Sequence, residues 1–84
     1  MKHAGVTTLD QLEPLIERLR AIPALKEKSR GVFSLKSRAF LHFHEDPKGL
    51  FADIRTVDGK DFERFQVDEP STWDTFVRTA STRA

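Results

Sequence analysis

The sequence predicts an α+β domain built from an N-terminal helix, a four-stranded antiparallel meander sheet and a C-terminal helix. Apolar residues recur at helical spacing near both ends of the chain. The middle, from residue 31 to 67, consists of short runs rich in β-branched and aromatic residues. Residues typical of tight turns separate these runs, so successive strands form a meander.

Length and composition favour one domain. The 84 residues are too few for two ordinary domains, yet 38% hydrophobic residues, among them seven Phe, suffice for one modest core. We therefore expect residues 1–84 to form a single domain whose ends, residues 1–6 and 83–84, are frayed.

Charge and composition argue against several classes of function. Fourteen basic and thirteen acidic residues give a net charge of +1, which argues against a nucleic acid partner. The absence of cysteine excludes disulfides and thiolate zinc sites, and the four glycines form no phosphate-binding loop, so no cofactor is expected. Without a signal sequence, or a run of the roughly 18 apolar residues that a membrane span needs, the sequence predicts a cytoplasmic protein with no membrane partner.

The first helix is predicted from about residue 9 to 21. Thr8, with Gln11 three residues later, resembles a capping box. Pro14 either starts the regular part of the helix or bends it, and Pro23 ends it. The helical spacing is that of Leu9, Leu12, Leu15, Ile16 and Leu19.

The second helix is predicted near the C-terminus. Pro70 precedes it, and Ser71 with Asp74 three residues later can cap it. One apolar stripe, expected to pack on the sheet, is formed by Trp73, Phe76, Val77 and Ala80.

Three turn signals divide the predicted sheet. Asp58-Gly59 suits a two-residue type I′ hairpin, because Asp tolerates and Gly readily accepts the positive φ that such a turn requires. It would join strands near 50–57 and 60–67. The run 45–49 contains Pro and Gly and forms a second turn, and Lys36-Ser37 is the candidate for a third.

A hairpin centred on Asp58-Gly59 sets the cross-strand pairs. Arg55 then lies opposite Phe62, and Asp53 lies opposite Arg64. These pairs predict a cation–π contact and an ion pair respectively.

Extending the pairing so that Phe43 faces Leu50 assigns every strand residue to one of two faces. The core face would hold Val32, Ala39, Leu41, Phe43, Leu50, Ala52, Ile54, Phe65 and Val67. The opposite face would hold Phe33, Phe40, His42, His44, Phe51, Asp53, Arg55, Phe62 and Arg64.

The second face predicts a binding function. Four Phe side chains exposed beside fixed charges would form an apolar patch of the size that marks a contact surface. We therefore expect a non-catalytic module that binds a small-molecule ligand, a protein partner or a second copy of itself as a homodimer. The expected binding residues are Phe33, Arg38, Phe40, His42, His44, Phe51, Asp53, Arg55, Phe62 and Arg64.

The alternative is a metal-dependent hydrolase or other enzyme centred on His42, His44 and Asp53. Two residues apart on a strand, the imidazoles share a side, and the carboxylate of the next strand could complete a three-ligand set with an open position. The simpler interpretation, which the sequence favours, is that the two histidines are half-exposed and pack against Phe51. No metal is then expected.

Part of the chain resembles a group of small bacterial α+β domains of unknown function that are sometimes labelled luciferase-like. The resemblance covers residues 31–33, 38–44 and 49–54, which follow the helix exit at 22–25. The resemblance implies an arginine, aromatic and histidine pattern on a central hairpin. The matching positions are Arg38, Phe40, His42 and His44. A second likeness, to the MmcQ type of small double-wing domains, rests on the order of helix, proline-containing exit and hairpin. Neither resemblance implies a known activity.

Overall fold

The computed structural model describes residues 2–84, and within them the predicted order of helix, antiparallel sheet and helix is confirmed. The helices are α1 (Val6–Arg20) and α2 (Trp73–Arg83), the second preceded by a 3₁₀ turn, Pro70–Thr72. The strands are β1 (Lys2–His3), β2 (Leu25–Ser29), β3 (Val32–Leu35), β4 (Arg38–Asp46), β5 (Gly49–Arg55) and β6 (Phe62–Gln66). None of the helices in this part of the chain has the length and apolarity to cross a bilayer.

Between residues 2 and 84 the sheet has six strands, so the predicted count of four is wrong. The main path runs β2-β3-β4-β5-β6, and β1 pairs with β4 beyond the end of β3. The two missed strands show no apolar alternation, because β1 has two residues and β2 reads Leu-Lys-Glu-Lys-Ser. Strand β2 lies at the sheet edge, where lysines discourage pairing with another chain.

One face of the sheet packs against both helices. The rings of Phe43 and Phe65 lie 6.4 and 5.6 Å from that of Phe76 on α2. The apolar stripes predicted for the two helices are confirmed, because they are buried or half-buried in this layer. The buried core comprises Leu12, Leu15, Ile16, Leu19, Ile22, Phe33, Phe40, Leu41, Phe43, Ala52, Ile54, Val67, Phe76 and Ala80.

Helix α1 begins three residues earlier than predicted. Gly5 is its N-cap and no side chain caps it, so the predicted capping box of Thr8 and Gln11 does not form. The helix passes through Pro14 to Arg20, which rules out a start near Pro14. An internal proline costs a helix about 3 kcal/mol, and burial of the leucines on both sides of it offsets that cost.

The turns form at the predicted places, but the Asp58-Gly59 turn does not have the predicted type I′ backbone. Lys36 and Ser37 both have positive φ, 52° and 69°, as a type I′ turn requires, whereas Gly59 has positive φ and Asp58 does not. The β5–β6 connection is a wider loop, closed by the Thr56 N–H that donates to the carbonyl of Asp61. The predicted β5–β6 register is nevertheless confirmed.

The β4–β5 pairing differs from the prediction by two residues. Phe43 faces Ala52, and Leu50 faces Glu45, because the turn contains only Pro47 and Lys48. Two residues are one full side-chain period of a strand. The predicted faces of β4 from Leu41 onward, and those of β5, are therefore preserved.

A β-bulge overturns the predicted positions of two phenylalanines. Phe33 pairs with Leu41, and Ser34 pairs with Ala39, which leaves Phe40 as an extra residue in β4. The bulge moves Phe33 to the core face, where it is 1% exposed, and Phe40 is also in the core at 3%. Ala39, predicted to be buried, is exposed.

A network of ion pairs joins α1 to the edge of the sheet. Arg20 donates to both carboxylate oxygens of Glu27 at 2.6 and 3.1 Å, and it also binds Glu13 and Glu17. The second oxygen of Glu27 accepts the Gly31 N–H at 2.9 Å. The hydrogen bonds from Arg20 lower the pKa of Glu27 below its ordinary value of 4.5, and the Gly31 N–H lowers it further. Burial raises this pKa, but by less.

We predict that Ile54→Val lowers the free energy of unfolding by about 1 kcal/mol, because one methylene is removed from a fully buried site at the centre of the sheet. Urea denaturation followed by Trp73 fluorescence measures the change. The control is Val57→Ala at a side chain that is 87% exposed, which we expect to change stability by less than about 0.5 kcal/mol. Equal effects of the two substitutions would contradict the described core.

We also predict a pH dependence from Glu27. A carboxyl whose pKa is lowered in the folded state stabilises the fold above its ordinary value of 4.5, and this contribution is lost as the pH falls through the folded-state value. Glu27→Gln should therefore lower stability at pH 7 and show a shallower decline below pH 4.5 than the parent protein. Denaturant melts from pH 7 to 3 test this. Glu69→Gln, an exposed position without an ion pair in the described chain, is the control and should keep the parent slope.

Candidate functional site

The sheet face turned away from the helices carries a compact cluster of polar side chains. Strand β4 supplies His42 and His44, β5 supplies Asp53, and β6 supplies Arg64. They meet because His42 pairs with Asp53 and Asp53 pairs with Arg64 across adjacent strands. Strand β1 adds His3, which pairs with His44. The three histidines of the chain and Asp53 thus form one group, called here the histidine cluster.

The rings of the histidine cluster are close together. Ring centroids are 4.7 Å apart for His42 and His44, 5.2 Å for His3 and His44, and 6.1 Å for His3 and His42. One ligand atom from each of His42, His44 and Asp53 lies within 4.8 Å of the others. A tetrahedral ion with bonds of about 2.0–2.1 Å separates its ligand atoms by about 3.4 Å. Movements of about an ångström would therefore bring these atoms to coordination distance.

Asp53 is the buried anchor of the cluster, at 6% exposure. Arg64 donates to both of its oxygens, Nε to Oδ1 at 2.9 Å and Nη2 to Oδ2 at 3.0 Å, which confirms the predicted ion pair. His44 Nε2 lies 3.2 Å from Oδ2. Burial raises the pKa of Asp53, but the hydrogen bonds and charge of Arg64, aided by His44, outweigh burial and lower it. The carboxylate is therefore ionised and held by Arg64, with the His44 ring beside it.

Two imidazole nitrogens of the cluster lack partners. Nδ1 of His42 and Nδ1 of His44 are buried, and neither has a hydrogen-bond partner among the described protein atoms. Burial lowers the pKa of His42 below its ordinary value of 6.5, the nearby charge of His44 adds to this effect, and Asp53 opposes it. Buried polar atoms are nearly always paired, so two unpaired nitrogens on rings 4.7 Å apart call for a chemical explanation.

The aromatic part of the face is smaller than the sequence predicted. Phe62 packs on His42 with ring centroids 5.1 Å apart, and Arg55 lies 4.6 Å above the Phe62 ring, which confirms the predicted cation–π contact. Phe51 pairs with His44 and is half-buried. Phe33 and Phe40 are in the core on account of the bulge and do not contribute. Two aromatic rings, rather than four, border the cluster.

Arg38 is the remaining residue of the predicted surface, and it lies apart from the histidines. It starts β4 at the end of the sheet where the β3–β4 and β5–β6 turns are, and its Nη2 donates to the carbonyl of Gly59 at 3.0 Å. The predicted surface is thus divided into three parts. They are the histidine cluster with its two bordering rings, the buried rings of Phe33 and Phe40, and the end of the sheet that carries Arg38.

Sequence reasoning missed His3. The residue lies in a segment expected to be frayed, and a two-residue strand carries no periodicity from which pairing could be inferred. Its neighbours provide the anchor, since Lys2 is 3.6 Å from the carboxylate of Glu45 and the Gly5 N–H donates to the same carboxylate at 2.9 Å. These contacts depend on the tertiary structure, so no local signal in the sequence would have revealed the third histidine.

Chemically, the cluster offers imidazole nitrogens beside an ionised carboxylate, both of whose oxygens accept a hydrogen bond from Arg64. The resemblances of residues 22–54 to the luciferase-like and MmcQ-type domains are not supported by any match to a known protein and stay predictions. No protein-family model, curated protein or solved structure matches the chain.

Proposed function

We propose that this protein is a non-catalytic binding module whose open sheet face holds a divalent transition-metal ion such as Zn²⁺. The binding role follows the expectation from the sequence, but the occupant changes from a ligand of an aromatic patch to an ion held by imidazoles. Imidazole nitrogens suit zinc, copper and nickel, whereas Mg²⁺ and Ca²⁺ prefer oxygen ligands.

The observation that carries the proposal is the convergence of the chain's three histidines, with two buried Nδ1 atoms that have no partner in the described structure. An ion bound to such atoms would supply the missing interaction. An imidazole that served only as packing would more often donate to a backbone carbonyl or to another side chain.

Asp53 supports the proposal as the residue that orients a ligand. If Nε2 of His44, which lies 3.2 Å from Asp53 Oδ2, carries the ring proton, the lone pair is on Nδ1, the atom that is left without a partner. Ligating histidines commonly donate their second ring nitrogen to a carboxylate in this way. His42 and His44 would be ligands, and the more exposed His3, whose ring lies 5.2 and 6.1 Å from theirs, would move towards the ion as the third.

The geometry favours binding over hydrolysis. A metal-dependent hydrolase needs a group that takes a proton from the attacking water or donates one to the leaving group. Asp53 is the carboxylate nearest the imidazoles, and Arg64 occupies both of its oxygens. The carboxylate therefore serves the structure of the site and is poorly placed to act as a base.

We predict that Zn²⁺ added to the metal-free protein shifts the ¹⁵N signals of the histidine rings and binds with one-to-one stoichiometry. His42→Gln or His44→Gln should weaken binding by more than the roughly 10- to 100-fold that loss of an outer-shell partner costs. Isothermal titration calorimetry gives the affinity. The matched control, Glu69→Gln, removes an exposed side chain outside the cluster and should leave binding unchanged.

Two outcomes would overturn the metal site. One is that the ring signals stay in place with Zn²⁺ in excess. The other is that Mg²⁺ binds as tightly as Zn²⁺, which would indicate a site formed by surface carboxylates.

We further predict that Arg64→Gln strengthens Zn²⁺ binding by roughly tenfold, the effect of removing a unit charge a few ångströms from a divalent ion in water-like surroundings. A gain in affinity cannot arise from partial unfolding, so this variant separates a real site from a folding defect. Arg78→Gln makes the same charge change at an exposed position on α2 and should have little effect. Weaker binding to Arg64→Gln would show that Arg64 is needed to form the site.

A further inference from the structure

A second concave region lies at the basic end of the sheet. The β3–β4 turn, the β5–β6 loop and the C-terminal end of α2 enclose a groove of about 380 Å³. This volume is within the range of pockets that hold small organic ligands. Apolar side chains form one part of its lining, among them Leu35, Ala39, Phe40 and Val57.

The polar part of the lining is positively charged. Lys36, Arg38, Arg55 and Arg83 line the groove, and no acidic side chain does so among the described residues. Arg83 is paired with Glu63. Within residues 2–84, neither Arg38 nor Arg55 has a carboxylate oxygen within 4 Å, so the chain leaves these charges without counter-ions.

Two of the guanidinium groups converge on one atom. Arg38 Nη2 and Arg55 Nη1 donate to the carbonyl oxygen of Gly59 at 3.0 and 2.9 Å. Because each nitrogen lies about 3 Å from the same oxygen, the two are at most about 6 Å apart. Like charges at this distance repel, and a bound anion would relieve the repulsion.

The guanidinium groups are both anchored and able to make further bonds. Arg55 Nε also donates to the carbonyl of Ala39 at 2.7 Å, and its ring contact with Phe62 fixes the side chain from the other side. Each guanidinium has five N–H donors, and these bonds use two from Arg55 and one from Arg38. The unused donors suit paired hydrogen bonds to a carboxylate or a phosphate.

From these observations we propose that the groove binds a small organic anion, with its carboxylate or phosphate on Arg38 and Arg55 and an apolar tail against Leu35 and Val57. The site is separate from the histidine cluster. It lies at the turn end of β4 and β5, whereas His44 is near the other end of β4. Because Phe62 contacts both Arg55 and His42, the ring signals of His3 and His44, rather than that of His42, distinguish the two sites.

The test uses octanoate and octyl phosphate as probes in ¹H–¹⁵N correlation spectra of the full chain. We expect saturable shifts at residues 35–40, 55–59, 62 and 82–83, while the ring signals of His3 and His44 do not change. Arg38→Gln should weaken binding by about tenfold, the cost of a charge-assisted hydrogen bond. The probe that binds more tightly identifies the preferred headgroup.

Matched controls decide the outcome. Lys48→Gln makes the same charge change in the β4–β5 turn, at the opposite end of the sheet from the groove, and should bind octanoate like the parent protein. Octylamine has the same tail with the opposite charge and should not bind. The proposal is overturned if octylamine shifts the same residues, if Arg38→Gln and Lys48→Gln weaken binding equally, or if neither anion gives saturable shifts. Arg38 is exposed, and an unchanged unfolding midpoint confirms that its variant folds.

Discussion

The pairing of β4 with β5 is the constraint on which the rest of the structure depends. It directs Leu41 and Ile54 into the layer beneath the helices, and it directs their strand neighbours His42 and Asp53 to the opposite face. A slip of a single residue would bury the charged carboxylate in the helix layer and expose the apolar core. The hydrophobic requirement that fixes the core therefore also fixes the histidine cluster.

The bulge at Phe40 determines which face of the sheet carries the rings of Phe33 and Phe40. Without it, Phe33 and Phe40 would lie on the open face and form the apolar patch that the alternation predicted. With it, both rings support the core, and the open face keeps mainly polar chemistry. A bulge also twists and bends the strand that carries it. In this chain it lies beside the turn where Arg38 enters the basic groove.

Much of the architecture could be predicted from the sequence, because helical stripes and strand alternation are local patterns. The ion pair of Asp53 with Arg64 followed directly from the hairpin register. The bulge could not be predicted, because the consecutive apolar residues Ala39, Phe40 and Leu41 do not show which of them faces the core. Nor could the pairing of β1, because His3 reaches the cluster through tertiary contacts. Lys36-Ser37, which lacks glycine, adopts the backbone that was predicted for the Asp58-Gly59 turn.

The shortness of β1 has a kinetic consequence. In the described part of the chain, two residue pairs, the Lys2–Glu45 ion pair and two hydrogen bonds, to Phe43 and Glu45, fasten this segment to β4. Such a segment can open locally at a small fraction of the free energy that unfolding of the whole domain requires. An ion held by three imidazoles would thus lose one ligand each time the segment detaches. Its residence time would follow the fraying of the amino-terminal end, while the β4–β5 pair remained intact.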